Sequence, residues 1–139
     1  MIVLDTNVLS EILRPAPDTR VMAWLGAQPR ATLFTTTVTR GELRYGVRQM
    51  PDSQRKGLLL EAVLAVFATD LSGQVLNFDS DAADAYAEIA AVRRAAGKPI
   101  SQFDAMIAAI ARSRGADLAT RNVKDFGDCG VHVIDPWNS

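Results

Sequence analysis

Ile2-Val3-Leu4-Asp5-Thr6-Asn7, near the start of the chain, joins three β-favouring apolar residues directly to an acid, a hydroxyl and an amide. This pattern predicts a buried strand that ends abruptly in a polar tip. In open α/β sheets, ligands bind just beyond the carboxyl ends of the strands, so Asp5 occupies a position suited to chemistry. The alternative is that Asp5, Thr6 or Asn7 merely caps the following helix. The choice depends on whether other acids converge on the same place.

The size and composition of the chain are those of an ordinary globular protein. With 139 residues, of which 48% are hydrophobic and 22% charged, it can bury one core, and we expect a single domain over residues 1–139. No apolar run approaches the ~18 residues of a membrane span, and no basic leader with a cleavage site precedes the first strand. We therefore expect a cytoplasmic protein without a membrane partner.

The chain has one cysteine, Cys129, and one histidine, His132. This inventory excludes an internal disulfide and makes a zinc cluster of Cys and His, or a Ser-His-Asp triad placed around strand ends, hard to build. The net charge of -1 also excludes a globally basic nucleic-acid binder, although a local basic stripe is compatible with it. Any chemistry must therefore be carried by carboxylates.

Short apolar segments alternate with longer amphipathic segments along the chain. Strands are expected at residues 2–4, 32–36, 75–76, 117–119 and 131–134. Helices are expected between them, at about 8–13, 19–25, 38–49, 54–68, 80–96 and 102–114. Strands separated by helices predict an α/β fold, a three-layer α/β/α sandwich with a mostly parallel sheet of about five strands.

The helix expected at residues 38–49 carries an acid on its apolar side. At 100° per residue, Glu42 falls together with Val38 and Tyr45. A carboxylate on this side is costly unless it is paired, hydrogen-bonded or bound to a cation. The other side carries arginines at i, i+4 spacing, namely Arg40, Arg44 and Arg48. These arginines form either a solvated face or a surface that contacts phosphate groups.

The helix expected at residues 102–114, capped by Ser101, has a similar acid. Asp104 shares a face with Phe103, Ile107 and Ala108. An acid in the first turn of a helix is favoured by the helix dipole, by ~0.3–1 kcal/mol. The dipole explains the position of Asp104 along the helix axis but not its inward orientation.

Three acids, Asp5, Glu42 and Asp104, thus have positions that local structure explains poorly. Parallel strands present their carboxyl ends at one edge of the sheet, so the three can meet there. The same edge holds the polar strand tips Thr6, Asn7, Thr120 and Asn122. Clustered carboxylates repel one another unless a cation neutralises them, and an oxygen-only set suits Mg²⁺ or Mn²⁺. Such a site is fitted to phosphodiester hydrolysis by a metal-activated water.

Four motifs together resemble the PIN domain. They are Leu4-Asp5-Thr6-Asn7, Thr39-Arg40-Gly41-Glu42-Leu43, Phe103-Asp104-Ala105-Met106-Ile107-Ala108 and Leu118-Ala119-Thr120-Arg121-Asn122. The chain most resembles the VapC-type toxins of bacterial toxin–antitoxin pairs. Ser10-Glu11, Arg14-Pro15 and Pro136-Trp137 look most like the FitB-like branch. The resemblance covers essentially the whole chain.

The resemblance implies a magnesium-dependent endoribonuclease that cuts RNA. It also implies a homodimer and a cognate antitoxin that inserts a peptide near the site and holds the enzyme inactive. Matched motif by motif, it implies that Asp5, Glu42 and Asp104 form the catalytic acidic cluster. Asp5 and Asp104 would then bind the metal directly.

Further roles follow from the same resemblance. Thr6 and Thr120 would support the metal, its water or the phosphate, and Asn7 would orient Asp5. Family members often bear a fourth acid where this chain has Asn122, which puts a second metal in doubt; Asp125 is the nearest substitute. The candidates for contacting RNA are Arg40, Arg44 and Arg121.

Two other functions are compatible with the sequence. A strand-end aspartate could be the nucleophile of a phosphotransferase, although Asn7 stands where that chemistry needs a second acid. Alternatively, the chain is a PIN-like module that binds RNA or protein and has lost activity through Asn122. Cleavage of RNA without a covalent intermediate would distinguish a nuclease from both of these alternatives.

Overall fold

The computed structural model describes all residues 1–139, and a five-stranded parallel sheet lies at its centre. The strands are β1 (Ile2–Leu4), β2 (Leu33–Thr36), β3 (Val75–Leu76), β4 (Asp117–Ala119) and β5 (Val133–Ile134). Their order across the sheet is β3-β2-β1-β4-β5, and every neighbouring pair is parallel. The expected α/β class and five-stranded sheet are confirmed. β1 occupies the centre, so its carboxyl end lies between the ends of β2 and β4.

Six α-helices flank this sheet. They are α1 (Thr6–Ile12), α2 (Thr19–Gly26), α3 (Thr37–Arg48), α4 (Gln54–Ala65), α5 (Ser80–Ala95) and α6 (Gln102–Ser113). Short 3₁₀ turns cover Arg30–Thr32 and Val123–Phe126, and a π-helical turn, Val66–Asp70, continues α4. None of the helices combines the length and apolar character needed to cross a membrane.

Alternating side chains of the central strands build two separate cores. Val3 and Leu118 are paired in register and face the core that α5 and α6 cover. The next pair, Leu4 and Ala119, faces the core covered by α1 to α4. Successive residues of a strand point to opposite faces of a sheet, so both faces of these buried strands are apolar. The expected three-layer sandwich follows from this alternation.

Two helices begin directly at residues that position acids. Thr36, the last residue of β2, caps α3 by accepting the backbone N–H of Thr39 at 3.0 Å. Ser101 caps α6 by accepting the backbone N–H of Asp104 at 3.2 Å. These caps fix where each helix starts. They therefore place Glu42 in the second turn of α3 and Asp104 in the first turn of α6.

Some predicted details are wrong. Tyr45 is 66% exposed, because the buried stripe of α3 runs through Thr39, Leu43 and Val47. Glu42 consequently lies at the edge of that stripe rather than on its inner side. Phe103, expected to share the inner face of α6, is 54% exposed.

The ends of some elements also differ from expectation. The α-helical part of α4 ends at Ala65 rather than near residue 68, and β5 covers only Val133–Ile134. α1 begins at Thr6, two residues earlier than predicted, because Asp5 serves as its cap.

Candidate active site

Asp5 lies at the carboxyl end of β1 and is almost fully buried, with 3% of its surface exposed. Its Oδ1 accepts the backbone N–H of Thr6 at 2.8 Å, which makes it the N-cap of α1. Its Oδ2 accepts the hydroxyl of Thr120 at 2.7 Å and the side-chain amide of Asn7 at 3.3 Å. The cap and the site are therefore the same residue, and three donors fix its carboxylate.

The polar tip of β4 meets the polar tip of β1. While it donates to Asp5, the Thr120 hydroxyl accepts the Asn7 amide at 3.1 Å and the backbone N–H of Asn122 at 3.1 Å. The Asn7 side-chain oxygen accepts the backbone N–H of Arg121 at 3.2 Å. Every strand-end residue that the sequence assigned to this edge is thus in one network. The side-chain amide of Asn7 donates to both Asp5 and Thr120.

Glu42 reaches the site from α3. The hydroxyl of Thr6 donates to its Oε1 at 2.7 Å, and the Thr6 and Thr39 hydroxyl oxygens are 2.9 Å apart. Oε2 of Glu42 makes no hydrogen bond within the chain and is free to interact with a ligand. Thr6 therefore links the two acids, because its backbone N–H donates to Asp5 and its hydroxyl donates to Glu42.

Asp104 approaches from the opposite helical layer, in the first turn of α6, and is half-buried. Burial raises the pKa of its carboxyl group, a hydrogen bond with Ser101 opposes this, and the nearby Asp125 carboxylate raises it further. A raised pKa in a concave site marks a carboxylate that is available for a proton or a cation.

The three acids are close enough to affect one another. Burial raises the pKa of Asp5 from 3.8 to about 6, although the hydrogen bonds from Thr120 and Thr6 oppose the rise. The carboxylates of Asp104 and Glu42 contribute to the increase through charge repulsion. A bound cation would relieve both the burial cost and this repulsion.

One cavity of about 470 Å³ contains all three acids. The other predicted residues in its lining are Thr6, Asn7, Arg121 and Asn122. Sequence reasoning gave no site role to four further lining residues, Ser10, Glu11, Arg14 and Trp137. Glu11 follows Asn7 by four positions and so shares its face of α1, a spacing that would have identified it.

Four predicted residues do not line this cavity, namely the fully buried Thr120, Arg40, Arg44 and Asp125. Arg40 stacks on the ring of Phe67, with its guanidinium carbon 5.5 Å from the ring centre. Arg44 is exposed on α3, and Asp125 is exposed in the 3₁₀ turn after β4, near enough to Asp104 to raise its pKa. Arg40 and Arg44 therefore face away from the acids, whereas Arg121 lines the cavity and stacks on Trp137 at 5.1 Å.

The side chains fit a hard cation that retains much of its water. No three carboxylate, imidazole or thiol groups are arranged to enclose a metal ion by themselves. Mg²⁺ usually binds through only one or two carboxylates and completes its shell with water and substrate phosphate. Asp5 and Asp104 line one cavity with amide and hydroxyl groups and no sulfur, a donor set that suits such an ion.

A larger, mainly apolar groove of about 720 Å³ adjoins the acid cavity. It lies between α1, α3 and α4, and its apolar walls include Leu13, Leu43, Val47, Leu58 and Leu59. Four residues line both spaces, namely Thr6, Ser10, Arg14 and Glu42. A ligand in this groove would therefore extend to the acids.

Known proteins share this architecture. Residues 2–128 match the family model described as PIN domain. VapC ribonuclease Y4jK of Sinorhizobium fredii is 40% identical over 99% of this chain and 98% of its own length. Toxin FitB of Neisseria gonorrhoeae is 37% identical over 99% of both chains. The crystal structure of FitAcB from N. gonorrhoeae matches with a TM-score of 0.89 and 38% identity over 100% of both chains.

These similarities extend from the first strand to the C-terminal tail, and they confirm the resemblance seen in the four motifs. The matched model covers both β1, which carries Asp5, and α6, which carries Asp104. The chain belongs to the PIN domain family, and its relatives include proteins named VapC ribonuclease and toxin FitB.

Proposed function

We propose that this protein is a magnesium-dependent endoribonuclease and the toxin of a toxin–antitoxin pair. The observation that carries the proposal is the Asp5 carboxylate, which three donors fix, whose pKa burial raises to about 6 and which the charges of Asp104 and Glu42 repel. A group held in this way favours a cation over solvation by water. The relatives named ribonuclease and toxin support the RNA substrate and the biological role.

In this proposal, Asp5 at the end of β1 and Asp104 in the first turn of α6 would hold the metal. When bound, Mg²⁺ supplies an activated water and polarises the phosphoryl group that the water attacks. Thr120 and Asn7 keep the Asp5 carboxylate in a fixed orientation through its Oδ2. Preorganised ligands of this kind need no rearrangement when the substrate binds.

Glu42 has a separate role in the proposal. Thr6 occupies its Oε1, while Oε2 is left to accept a proton or to hold a water in the cavity. A carboxylate within hydrogen-bond reach of the reacting water can act as a general base. The chain contains no histidine or cysteine in this cavity that could replace it.

The groove beside the acids supports an antitoxin partner. Its apolar walls fit an apolar segment of a protein, and its continuity with a cavity holding four carboxylates fits a basic side chain at the end of that segment. An antitoxin peptide bound there would cover the route of RNA to the acids. Action in the cytoplasm and assembly as a homodimer belong to the same proposal.

RNA cleavage by the purified protein tests the proposal. We expect cleavage with Mg²⁺, none after chelation, and a loss of at least roughly 100-fold in Asp104→Asn. Asp84→Asn is the matched control, because Asp84 is exposed on α5 and lines neither cavity. Cleavage that survives chelation and Asp104→Asn would contradict the proposal.

The same assay addresses the two other functions. Recovery of a phosphorylated Asp5 would favour an aspartate-nucleophile phosphotransferase. Binding of RNA without cleavage by the unmodified protein in Mg²⁺ would favour a binding module. The proposed hydrolysis predicts neither outcome.

A further inference from the structure

Arg14 lies at the boundary between the acid cavity and the apolar groove and lines both. It follows Leu13, the C-cap of α1, and precedes Pro15, whose ring restricts the backbone at this point. Its side chain is 63% exposed. The position is thus solvent-accessible but attached to a rigid element, as suits a residue that meets an incoming ligand.

The buried carboxylate of Glu11 fixes the position of Arg14. Nη1 of Arg14 donates to both carboxylate oxygens of Glu11, each at 3.2 Å. The backbone N–H of Asp18, the N-cap of α2, donates to Oε2 of the same carboxylate at 3.0 Å. Only 5% of Glu11 is exposed, and a buried charge is costly unless it is paired. Glu11 therefore ties Arg14 and the start of α2 to α1.

This pairing leaves most of the Arg14 guanidinium unused. Its Nε and Nη2 make no hydrogen bond within the chain. Planar guanidinium groups with free donors bind phosphate oxygens well, often with two parallel hydrogen bonds. Arg14 therefore combines a fixed location with free donors for an anion.

The charge of the cavity favours such a contact with RNA, beside the charge that a bound metal would supply. The side chains that line the cavity carry more negative than positive charge. The carboxylates are those of Asp5, Glu11, Glu42 and Asp104, and the guanidinium groups are those of Arg14 and Arg121. A phosphate backbone that approaches the acids is repelled unless cationic groups meet it at the rim. Arg121, stacked on Trp137, belongs to the β4 end of the cavity, whereas Arg14 belongs to the α1 end.

We propose that Arg14 contacts a phosphate of the RNA strand beside the acid cavity and that Glu11 is a positioning residue that acts through Arg14. The proposal rests on the ribonuclease function proposed above and names the side of the cavity along which the substrate lies. A phosphate contact of this kind fixes the register of the strand without reading its sequence.

Binding of a fluorescently labelled single-stranded RNA tests this role. The Asp5→Asn protein serves as the parent, so that the RNA stays intact during the titration. Arg14→Ala should weaken binding about tenfold at low salt. It should also reduce the slope of log affinity against log salt by about 0.7, as for one lost phosphate contact. The matched control is Arg94→Ala, since Arg94 is exposed on α5 and lines neither cavity.

A double-mutant cycle tests the link to Glu11. Glu11→Gln should weaken RNA binding in the parent but have no further effect once Arg14 is alanine. Circular dichroism establishes that each variant is folded. Unchanged affinity and salt slope in Arg14→Ala, or an equal effect of Glu11→Gln with and without Arg14, would overturn the proposal.

Cleavage by proteins that retain Asp5 separates the two proposals. If the unmodified chain cleaves RNA and Arg14→Ala leaves KM unchanged, the role of Arg14 is wrong and the ribonuclease function stands. If the unmodified chain does not cleave RNA with Mg²⁺, the ribonuclease function fails, and the role of Arg14 fails with it. The expected result is cleavage by both proteins with a KM about tenfold higher for Arg14→Ala.

Discussion

The hydroxyl of Thr120, at the end of β4, donates to Oδ2 of Asp5, at the end of β1, across 2.7 Å. Both residues are buried, and the strands that carry them are direct neighbours in the sheet. The order of the strands therefore brings together two residues that are 115 positions apart in the chain. A hydrogen bond to the charged form of a carboxylate favours that form, so Thr120 helps to keep Asp5 ionised despite its burial.

Replacement of Thr120 by valine should raise the pKa of Asp5 further. The change removes the hydroxyl with little change of volume, and the acidic limb of the pH–rate profile for RNA cleavage should move up by roughly one pH unit. Thr35→Val is the matched control, because its buried hydroxyl donates to the Leu4 carbonyl at 3.1 Å and not to an acid. An equal displacement of the profile in both variants would show that Thr120 has no specific effect on Asp5.

The raised pKa of Asp5 also makes stability depend on pH. Between 3.8 and about 6, Asp5 binds a proton in the folded state that the unfolded chain has lost. The free energy of unfolding should therefore fall as the pH rises through this window, by about 3 kcal/mol at most, and stay lower above it. Urea unfolding in the presence of a chelator measures this slope.

Asp5→Asn provides the control for the pH dependence. Its free energy of unfolding should lack the decrease assigned to Asp5. Mg²⁺ added at pH 7 should stabilise the unmodified protein and not this variant, because a ligand that binds only the folded state raises stability. Parallel pH dependences in the two proteins would contradict the assignment.

Asn122→Asp should strengthen metal binding. Asn122 is exposed in the lining of the acid cavity, and its side chain makes no hydrogen bond within the chain. A carboxylate there adds a charge beside the proposed metal, so calorimetric titration with Mn²⁺ should show an affinity roughly three- to tenfold higher. Asn77→Asp, exposed and outside the cavity, should leave the affinity unchanged. No gain at position 122 would mean that this residue lies too far from the metal.

The groove offers a test of the antitoxin partner. Leu58 lines the groove and is 60% exposed, so Leu58→Asp should weaken antitoxin binding at least about tenfold while leaving RNA cleavage and stability intact. Leu64, on the same helix and 41% exposed, lies outside the groove, and Leu64→Asp is the control. Equal affinities of the two variants for the antitoxin would place the partner elsewhere.

The sequence predicts the strands and the acidic cluster where the residue pattern and its place in the chain indicate the same structure. The sequence predicts β1 at residues 2–4 because the apolar run stops at an acid. The structure has this strand, and Asp5 directly follows its last residue. The two roles considered for Asp5, cap and site, are compatible, since Oδ1 caps the helix and Oδ2 belongs to the polar network. A sequence pattern cannot show this division, because it does not resolve the two oxygens of one carboxylate.

Other features depend on packing that no local pattern encodes. Tyr45 and Phe103 are apolar residues that the structure leaves exposed, since α3 and α6 bury faces rich in small and aliphatic residues instead. The spacing from Asn7 places Glu11 on the cavity face of α1, but its burial depends on pairing with Arg14 and the Asp18 backbone, which the spacing does not show. Both partners lie in the loop between α1 and α2, and the sequence does not show how this loop is positioned.

Single-turnover cleavage of RNA by the unmodified protein and by Asp5→Asn, both with Mg²⁺ in excess, is the most direct test of metal-dependent hydrolysis at Asp5. Asparagine preserves the shape of the side chain but removes the charge that the metal requires. We predict that the rate constant falls at least roughly 100-fold in Asp5→Asn while the protein remains folded. Equal rate constants for the two proteins would contradict the proposed role of Asp5 and the assignment of the acidic cluster as the active site.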